Sequence, residues 1–232
     1  MRIFLLISLS ALFITCNRPQ QSSSIEVVGQ MRDVMWKGDL TGKISTDSLN
    51  HPHAYGLGPI EYLKGEVLLF EGQTFISKVI DSVAHQVNQV NSTNAPFFVY
   101  SKESMLNTIS VAPSELSLQS TEELIDSIYA DYDYPLLVRI DGVFQDLTVH
   151  SVNLPEGSLV SSPDQAHEGL TKYDYKNISG SIIGFFSRNH KAIFTHHDSY
   201  FHAHFISDDR SLMGHLDSVS FNSKAATFKV SK

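Results

Sequence analysis

Residues 200–216 read YFHAHFISDDRSLMGHL, and three of them carry chemistry: His202, His204 and His215. Side chains of a strand repeat every two residues, so His202 and His204 share a face, roughly 6.5–7 Å apart at the backbone. Tyr200 and Ile206 join them there, while Phe201, Ala203 and Phe205 take the other face as core. Ser207, Asp208, Asp209 and Arg210 form a polar turn, and Gly214-His215-Leu216 follows. With Asp208 and Asp209 at the tip of a hairpin, His215 falls opposite His202. Three neutral imidazoles converging from adjacent strands are a ligand set for a metal ion with an open position. Histidines at this spacing also occur as ordinary core or surface residues, and the pattern alone leaves both readings open.

Glu66 is a second candidate. It heads the apolar run 67–70, where a carboxylate is costly to bury unless it has a partner. A solvated strand end is the alternative.

The elements that must position these residues read mostly as strands. Residues 25–37 carry Val28, Met31, Val34 and Met35 at helical spacing, ended by Gly38. Residues 46–49 suggest a short helical turn capped by Thr46 or Asp47. Residues 67–70 and 75–80 predict two strands joined at Glu71-Gly72. Residues 96–100 and 109–111 predict two more. Residues 120–129 predict a helix, with Ser120 as cap, Glu123 completing a capping box and a buried stripe of Leu124, Ile125 and Ile128. Pro135 stops the helical region. Further strands are expected at 136–140, 143–152 (after a turn at Asp141-Gly142), 178–186, 192–196 and 225–230. The polar stretch 154–172 reads as a long loop, a common seat of function. The fold class is α+β and dominated by sheet. Residues 25–135 read as an N-terminal sheet-rich domain and 136–232 as a C-terminal β domain carrying the three-histidine hairpin.

The chain has 232 residues, 42% hydrophobic and 18% charged, enough for a large core in one or two domains. Its formal net charge of −8 comes without a basic patch, which argues against nucleic-acid partners. Met1-Arg2 followed by the apolar run 3–14 reads as a signal peptide, too short to span a membrane. The single cysteine, Cys16, follows at once and resembles the lipidated cysteine of a bacterial lipobox, with Thr15 where a smaller residue is usual. Residues 1–15 are thus expected to be removed and 16–24 (beginning CNRPQQSSS) to form a flexible tether. Acyl chains on Cys16 would hold the protein on a membrane, on the periplasmic or cell-surface side. An ordinary cleaved signal with an incidental cysteine is the alternative, and either way no disulfide partner remains.

Several of these stretches together resemble acetolactate decarboxylase. They are 31–42 (MRDVMWKGDLTG), Gly56-Leu57-Gly58 leading to Leu63-Lys64-Gly65-Glu66, Pro96-Phe97-Phe98, 138–144 (VRIDGVF), 180–185, and HAHFISDDRSLMGH, the most specific. The resemblance implies two intertwined sheet-rich domains with mixed or antiparallel strands, usually in a homodimer. It implies zinc, or another divalent transition metal, on His202, His204 and His215, with Glu66 as an active-site carboxylate beside it. It also implies conversion of 2-acetolactate, or a related 2-hydroxy-3-oxo acid, to acetoin and carbon dioxide. A metal would serve there as Lewis acid and Glu66 as general acid/base. No organic cofactor is needed, because the substrate's own ketone is the electron sink.

Three departures bear on this. The family's substrate-facing arginine is matched by His150, which lacks the bidentate grip of a guanidinium. His150 either stands as a further polar group beside the metal or faces solvent. Pro59 stands where the family has threonine and offers neither hydroxyl nor amide donor. The glutamate of the family's C-terminal tail has no counterpart in the last fifteen residues, and Asp217 is the acid nearest the hairpin. Two further readings therefore stand beside the decarboxylase: a surface protein of this fold that binds a metal or small ligand without turnover, and a metal hydrolase using zinc-bound hydroxide. A cupin fits less well, since its second motif is absent.

Overall fold

The computed structural model describes residues 25–231. Cys16, the apolar segment before it and the tether lie outside them. Eight strands fall before residue 102: β1 Ile25–Val28, β2 Ile44–Ser45, β3 Tyr55–Pro59, β4 Glu66–Phe70, β5 Gln73–Val79, β6 His85–Val90, β7 Asn94–Ala95 and β8 Phe98–Ser101. Seven follow: β9 Leu106–Ile109, β10 Glu115–Ser117, β11 Leu136–Ser151, β12 Thr171–Phe186, β13 Phe201–Ser207, β14 Met213–Asn222 and β15 Ala226–Ser231. Three helices accompany them, α1 Met31–Lys37, α2 Leu118–Ile128 and α3 Pro163–Ala166. This is the expected sheet-rich α+β class.

The first sheet runs β1-β8-β3-β4-β5-β6 and the second β10-β14-β13-β12-β11-β15-β9, while β2 and β7 form a small ribbon. The pairings between these strands are antiparallel. β14 pairs with β11 as well as with β13, so β11, β12, β13 and β14 close into a ring. Strands β9 and β10 join the second sheet, and α2 packs Ile125 into that sheet's core. The sheets therefore divide near residue 101, not at the 135 boundary read from the sequence. Long-range pairing decides this, and a scan of local pattern does not see it. The halves are intertwined: Leu57, Leu68 and Phe70 of the first sheet share one core with Leu137, Ile183, Phe185 and Ile206 of the second.

The parity of β13 separates core from site. Phe205 faces into the ring, edge-on to Phe144 with centroids 5.6 Å apart, and Phe144 meets Phe221 at 5.3 Å. Two glycines of β12 make room for these rings: a Cβ on Gly180 would lie 2.6 Å from the Phe205 ring, and one on Gly184 would lie 2.3 Å from the Phe201 ring. Register is thereby pinned, with Gly184 opposite Ala203 and Ile183 opposite His204. The alternate residues, His202 and His204, must then face the first sheet.

Several local expectations change. β1 takes residues 25–28, and the helix α1 starts only at Met31, ending at Gly38 in the left-handed region as expected. α2 begins two residues early, capped by Ser117 with Ser120 completing the box, and Ile128 is exposed at its end. Asp141-Gly142 is no turn. β11 runs straight through it, because the Asp141 carboxylate accepts from Ser181 and Lys229 on the two neighbouring strands and from Arg139 on its own. Residues 192–196 form a turn closed by a bridge from Lys191 to Thr195, not a strand.

Candidate metal centre

The hairpin of β13 and β14 forms with Asp208 and Asp209 in its turn, but the turn centres one residue later than the pattern suggested. His215 therefore lies opposite His204, and opposite His150 on its other side, not opposite His202. A register change of two preserves parity, so all three imidazoles still share a face. Their ring centroids lie 4.9 Å (His202 to His215), 5.5 Å (His202 to His204) and 5.6 Å (His204 to His215) apart. All three are buried.

Glu66 heads β4 in the first sheet and reaches across the seam. Its Oε2 lies 3.7 Å from His204 Nε2, and its Oε1 accepts from the Val152 amide at 3.2 Å and lies 4.0 Å from His150 Nε2. It is 4% exposed, which rules out a solvated strand end. Burial pushes its carboxyl well above the ordinary range, opposed by the Val152 N–H. His150 belongs to the site. Its Nδ1 meets Asp217 Oδ1 at 2.7 Å, and its ring lies 4.4 Å from that of His215. Lys172 Nζ lies 3.0 Å from the other oxygen of Asp217. Burial alone would raise Asp217, but these two partners outweigh it and hold the carboxyl below its ordinary value. Pro59 pairs with Glu66 across β3 and β4 and lines the same space.

That space has two parts. An inner cavity of about 40 Å³ is walled by Glu66, Phe97, His150, His196, His202 and His215, among others. An outer hollow of about 440 Å³ carries His150, His167, Lys172, His196, Asp198 and Asp217. No arginine lines either one among the described residues. Arg139 is committed elsewhere, to Asp141, Glu71 and Tyr55. A larger hollow of about 560 Å³ around Leu40, Tyr62 and Leu154 lies away from the histidines.

The imidazoles are chemically suited to an ion. Burial, reinforced by neighbouring histidines, pushes His202 and His215 well below the ordinary histidine value and His204 down to about 3. They are therefore neutral near pH 7, the form that donates a lone pair to a metal. His202 Nδ1 lies 2.6 Å from the Phe194 carbonyl, to which it donates, leaving Nε2 unprotonated. His204 Nε2 is buried without a hydrogen-bond partner. An orphaned polar atom in a dry site is unfavourable, and a bound cation would satisfy it. Sequence reading missed His196, whose Nε2 lies 3.0 Å from His215 Nε2. The available signal was His190, His196 and His197 crowded into the connection just before the hairpin.

Two antiparallel sheets with a buried cluster of neutral imidazoles in their seam define the class: a double-sheet protein with a candidate metal centre. Residues 29–232 match the alpha-acetolactate decarboxylase family, and the chain belongs to it. It is 28% identical over 167 residues to the alpha-acetolactate decarboxylase of Bacillus licheniformis, covering 70% of this chain and 61% of that protein. With the enzyme of Methanosarcina mazei it shares 25% over 184 residues, 79% of this chain and 62% of the relative. With that of Bacillus subtilis it shares 26% over 204 residues, 86% and 75%. The chain thus spans about three fifths of the length of the first two relatives. The crystal structure of the Bacillus subtilis strain 168 enzyme superposes with a TM-score of 0.74 at 22% identity, over 89% of this chain and 84% of that one. A Staphylococcus aureus protein described as similar to alpha-acetolactate decarboxylase gives 0.70 at 17%, over 89% and 84%. At these identities the two structures establish the fold.

Proposed function

We propose that this protein is a metal-dependent carboxy-lyase that converts 2-acetolactate, or a related 2-hydroxy-3-oxo acid, to acetoin and carbon dioxide. The observation that supports this reading is the packing of the His202, His204 and His215 rings on one buried face, with centroids 4.9–5.6 Å apart, beside the buried carboxyl of Glu66. These three histidines would hold the ion, with zinc the natural occupant of such a set and other divalent transition metals possible. Bound there, the ion supplies Lewis acidity to the oxygens of the substrate.

The rest falls to the chain's own side chains. Loss of carbon dioxide leaves an electron pair on the carbon that bore the carboxylate. The adjacent ketone takes it up as an enediolate, and that carbon must then gain a proton. Glu66 is held for this: the Val152 amide fixes one oxygen and leaves the other facing the histidines. His150, oriented by Asp217, and Lys172 beside it offer donors at the mouth for the substrate's carboxylate. The apolar residues Met31, Leu63 and Phe97 of the inner wall limit water there.

The test is acetoin release from 2-acetolactate by the zinc-loaded chain and by the chelated chain. Turnover that requires the ion supports the reading, and none with the ion bound refutes it. One observation favours a second reading, a member that binds a metal or small ligand without turnover: the site holds His150 and no arginine among the described residues. His150→Arg should raise kcat/KM by about tenfold if the weak grip on the carboxylate limits an active enzyme. It should do nothing for a protein that never turns over. The lipid anchor at Cys16 and a homodimer belong to the same proposal. Mass spectrometry of the mature N-terminus and sedimentation test them.

A further inference from the structure

We propose that His196 is a fourth imidazole ligand of the ion, and the one that an incoming chelating substrate displaces. The proposal rests on the metal reading above but concerns a residue outside the three-histidine set.

His196 Nε2 and His215 Nε2 lie 3.0 Å apart, with ring planes only 6° from parallel. Ligand atoms about 2.0–2.1 Å from one zinc ion sit about 3.3 Å apart on a tetrahedron, and about 2.9 Å apart at a right angle. His196, His202 and His215 each place a ligand atom within 4.8 Å of the other two. His202 and His215 thus form such a group with His196, whereas no such group among the described residues includes His204. Their ring contacts are alike: 5.3 Å and 4.9 Å from His196, 5.5 Å and 5.6 Å from His204.

The segment that carries His196 is built into the site. The Phe194 carbonyl, two residues earlier, accepts the hydrogen bond that orients His202. The Phe194 side chain is fully buried in the core shared by both sheets and stacks on His190. The Ala192 amide donates to the Thr195 carbonyl at 2.9 Å and closes the turn. His196 therefore stands against the cluster because the same turn fixes the tautomer of its neighbour. It also differs from the other three. It lies on a connection and is only partly buried, whereas the other three are buried on strands; with His215 it lines both the inner cavity and the outer hollow. Of the two cluster imidazoles that line the outer hollow, His196 is the more exposed and the one not held in a strand, so it is the imidazole that can give up its position.

Cobalt(II) in place of zinc reports the ligand set through its visible absorption. The full chain, His196→Ala, His196→Gln, His204→Ala and the exposed neighbour His197→Ala are loaded with cobalt and titrated against a competing chelator, with far-UV circular dichroism as the check on folding. The expected result is one cobalt per wild-type chain, and a shifted, differently intense band in both His196 variants. Affinity should fall by about 10–100-fold, and the wild-type spectrum should return when free imidazole is added to His196→Ala. His197→Ala should match wild type. The glutamine keeps a hydrogen-bonding group without a good ligand, so it guards against a merely structural effect of the alanine. A wild-type spectrum in both His196 variants, unmoved by imidazole, overturns the proposal and leaves His196 as a hydrogen-bond partner of His215. If that occurs while His204→Ala loses cobalt, the three-histidine reading survives alone. If wild type binds no cobalt, both readings fall.

Discussion

The inner wall of the candidate site and its outer rim are built on different principles. The wall consists of His202, His204, His215 and Glu66, all on strands and all buried, with the three imidazoles neutral near pH 7. The rim consists of His150, Asp217 and Lys172, strand residues joined through the Asp217 carboxylate, with His167 and His196 from the connections; all but His150 are partly or largely exposed. Position on the wall is set by sheet register, which the packing of Phe201 and Phe205 over Gly184 and Gly180 makes hard to slip. Position on the rim depends on side-chain partners that a single substitution can release. The wall should therefore govern whether the site works at all, and the rim how well it grips.

The largest effect is expected at the wall. His204→Ala removes a fully buried ligand held on a strand. Since loss of an outer partner alone costs about 10–100-fold in affinity or activity, loss of a ligand should cost at least about a hundredfold in both. Elemental analysis and acetoin release check it, and retained metal with full turnover would dissolve the distinction between wall and rim. Glu66→Gln comes next. The amide keeps the hydrogen bond from Val152 but gives up proton transfer, so kcat should fall by about 10²–10⁴-fold with the fold intact by circular dichroism. A rim change should be milder. Asp217→Asn frees His150 and Lys172, and should raise KM by about tenfold while kcat moves less. Equal loss in both parameters would place Asp217 among the wall residues in effect.

The smallest effect sharpens the comparison without activity. In the metal-free chain, folded His204 titrates at about 3, below its ordinary 6.5, and His202 and His215 are lowered as well. The unfolded chain thus binds more protons at these three positions as pH falls below about 6.5, and stability drops. Glu66, raised when folded, works in the opposite sense, but it is one group against three. The urea midpoint of metal-free protein should be lower at pH 5 than at pH 7, and zinc should raise the midpoint at pH 7 by mass action. A midpoint that rises toward pH 5 would mean that the wall histidines are not held neutral.

Much of the wall was legible in the sequence, for a physical reason. Strand parity is exact, so HxH and the third histidine after a charged turn share a face whether the hairpin closes with His215 opposite His202 or, as it does, opposite His204. The site thus tolerated a misjudged register. The rim had no such protection. His150 joins the site because β14 pairs with β11 to close the ring, a contact between residues 65 apart in the chain. His196 was hidden because 192–196 alternates like a strand yet folds as a turn around the buried Phe194. The break expected at Asp141-Gly142 failed likewise. Two cross-strand partners of Asp141, Ser181 and Lys229, hold β11 straight, and local propensity carries no information about them.

The central claim is that one ion sits among His202, His204 and His215. The most direct test is an anomalous-scattering map at the zinc edge from crystals of the zinc-loaded protein. A single peak about 2.0–2.1 Å from a ring nitrogen of each of the three is the predicted result. A fully loaded crystal with no peak there, or with its only peak elsewhere on the molecule, would contradict it.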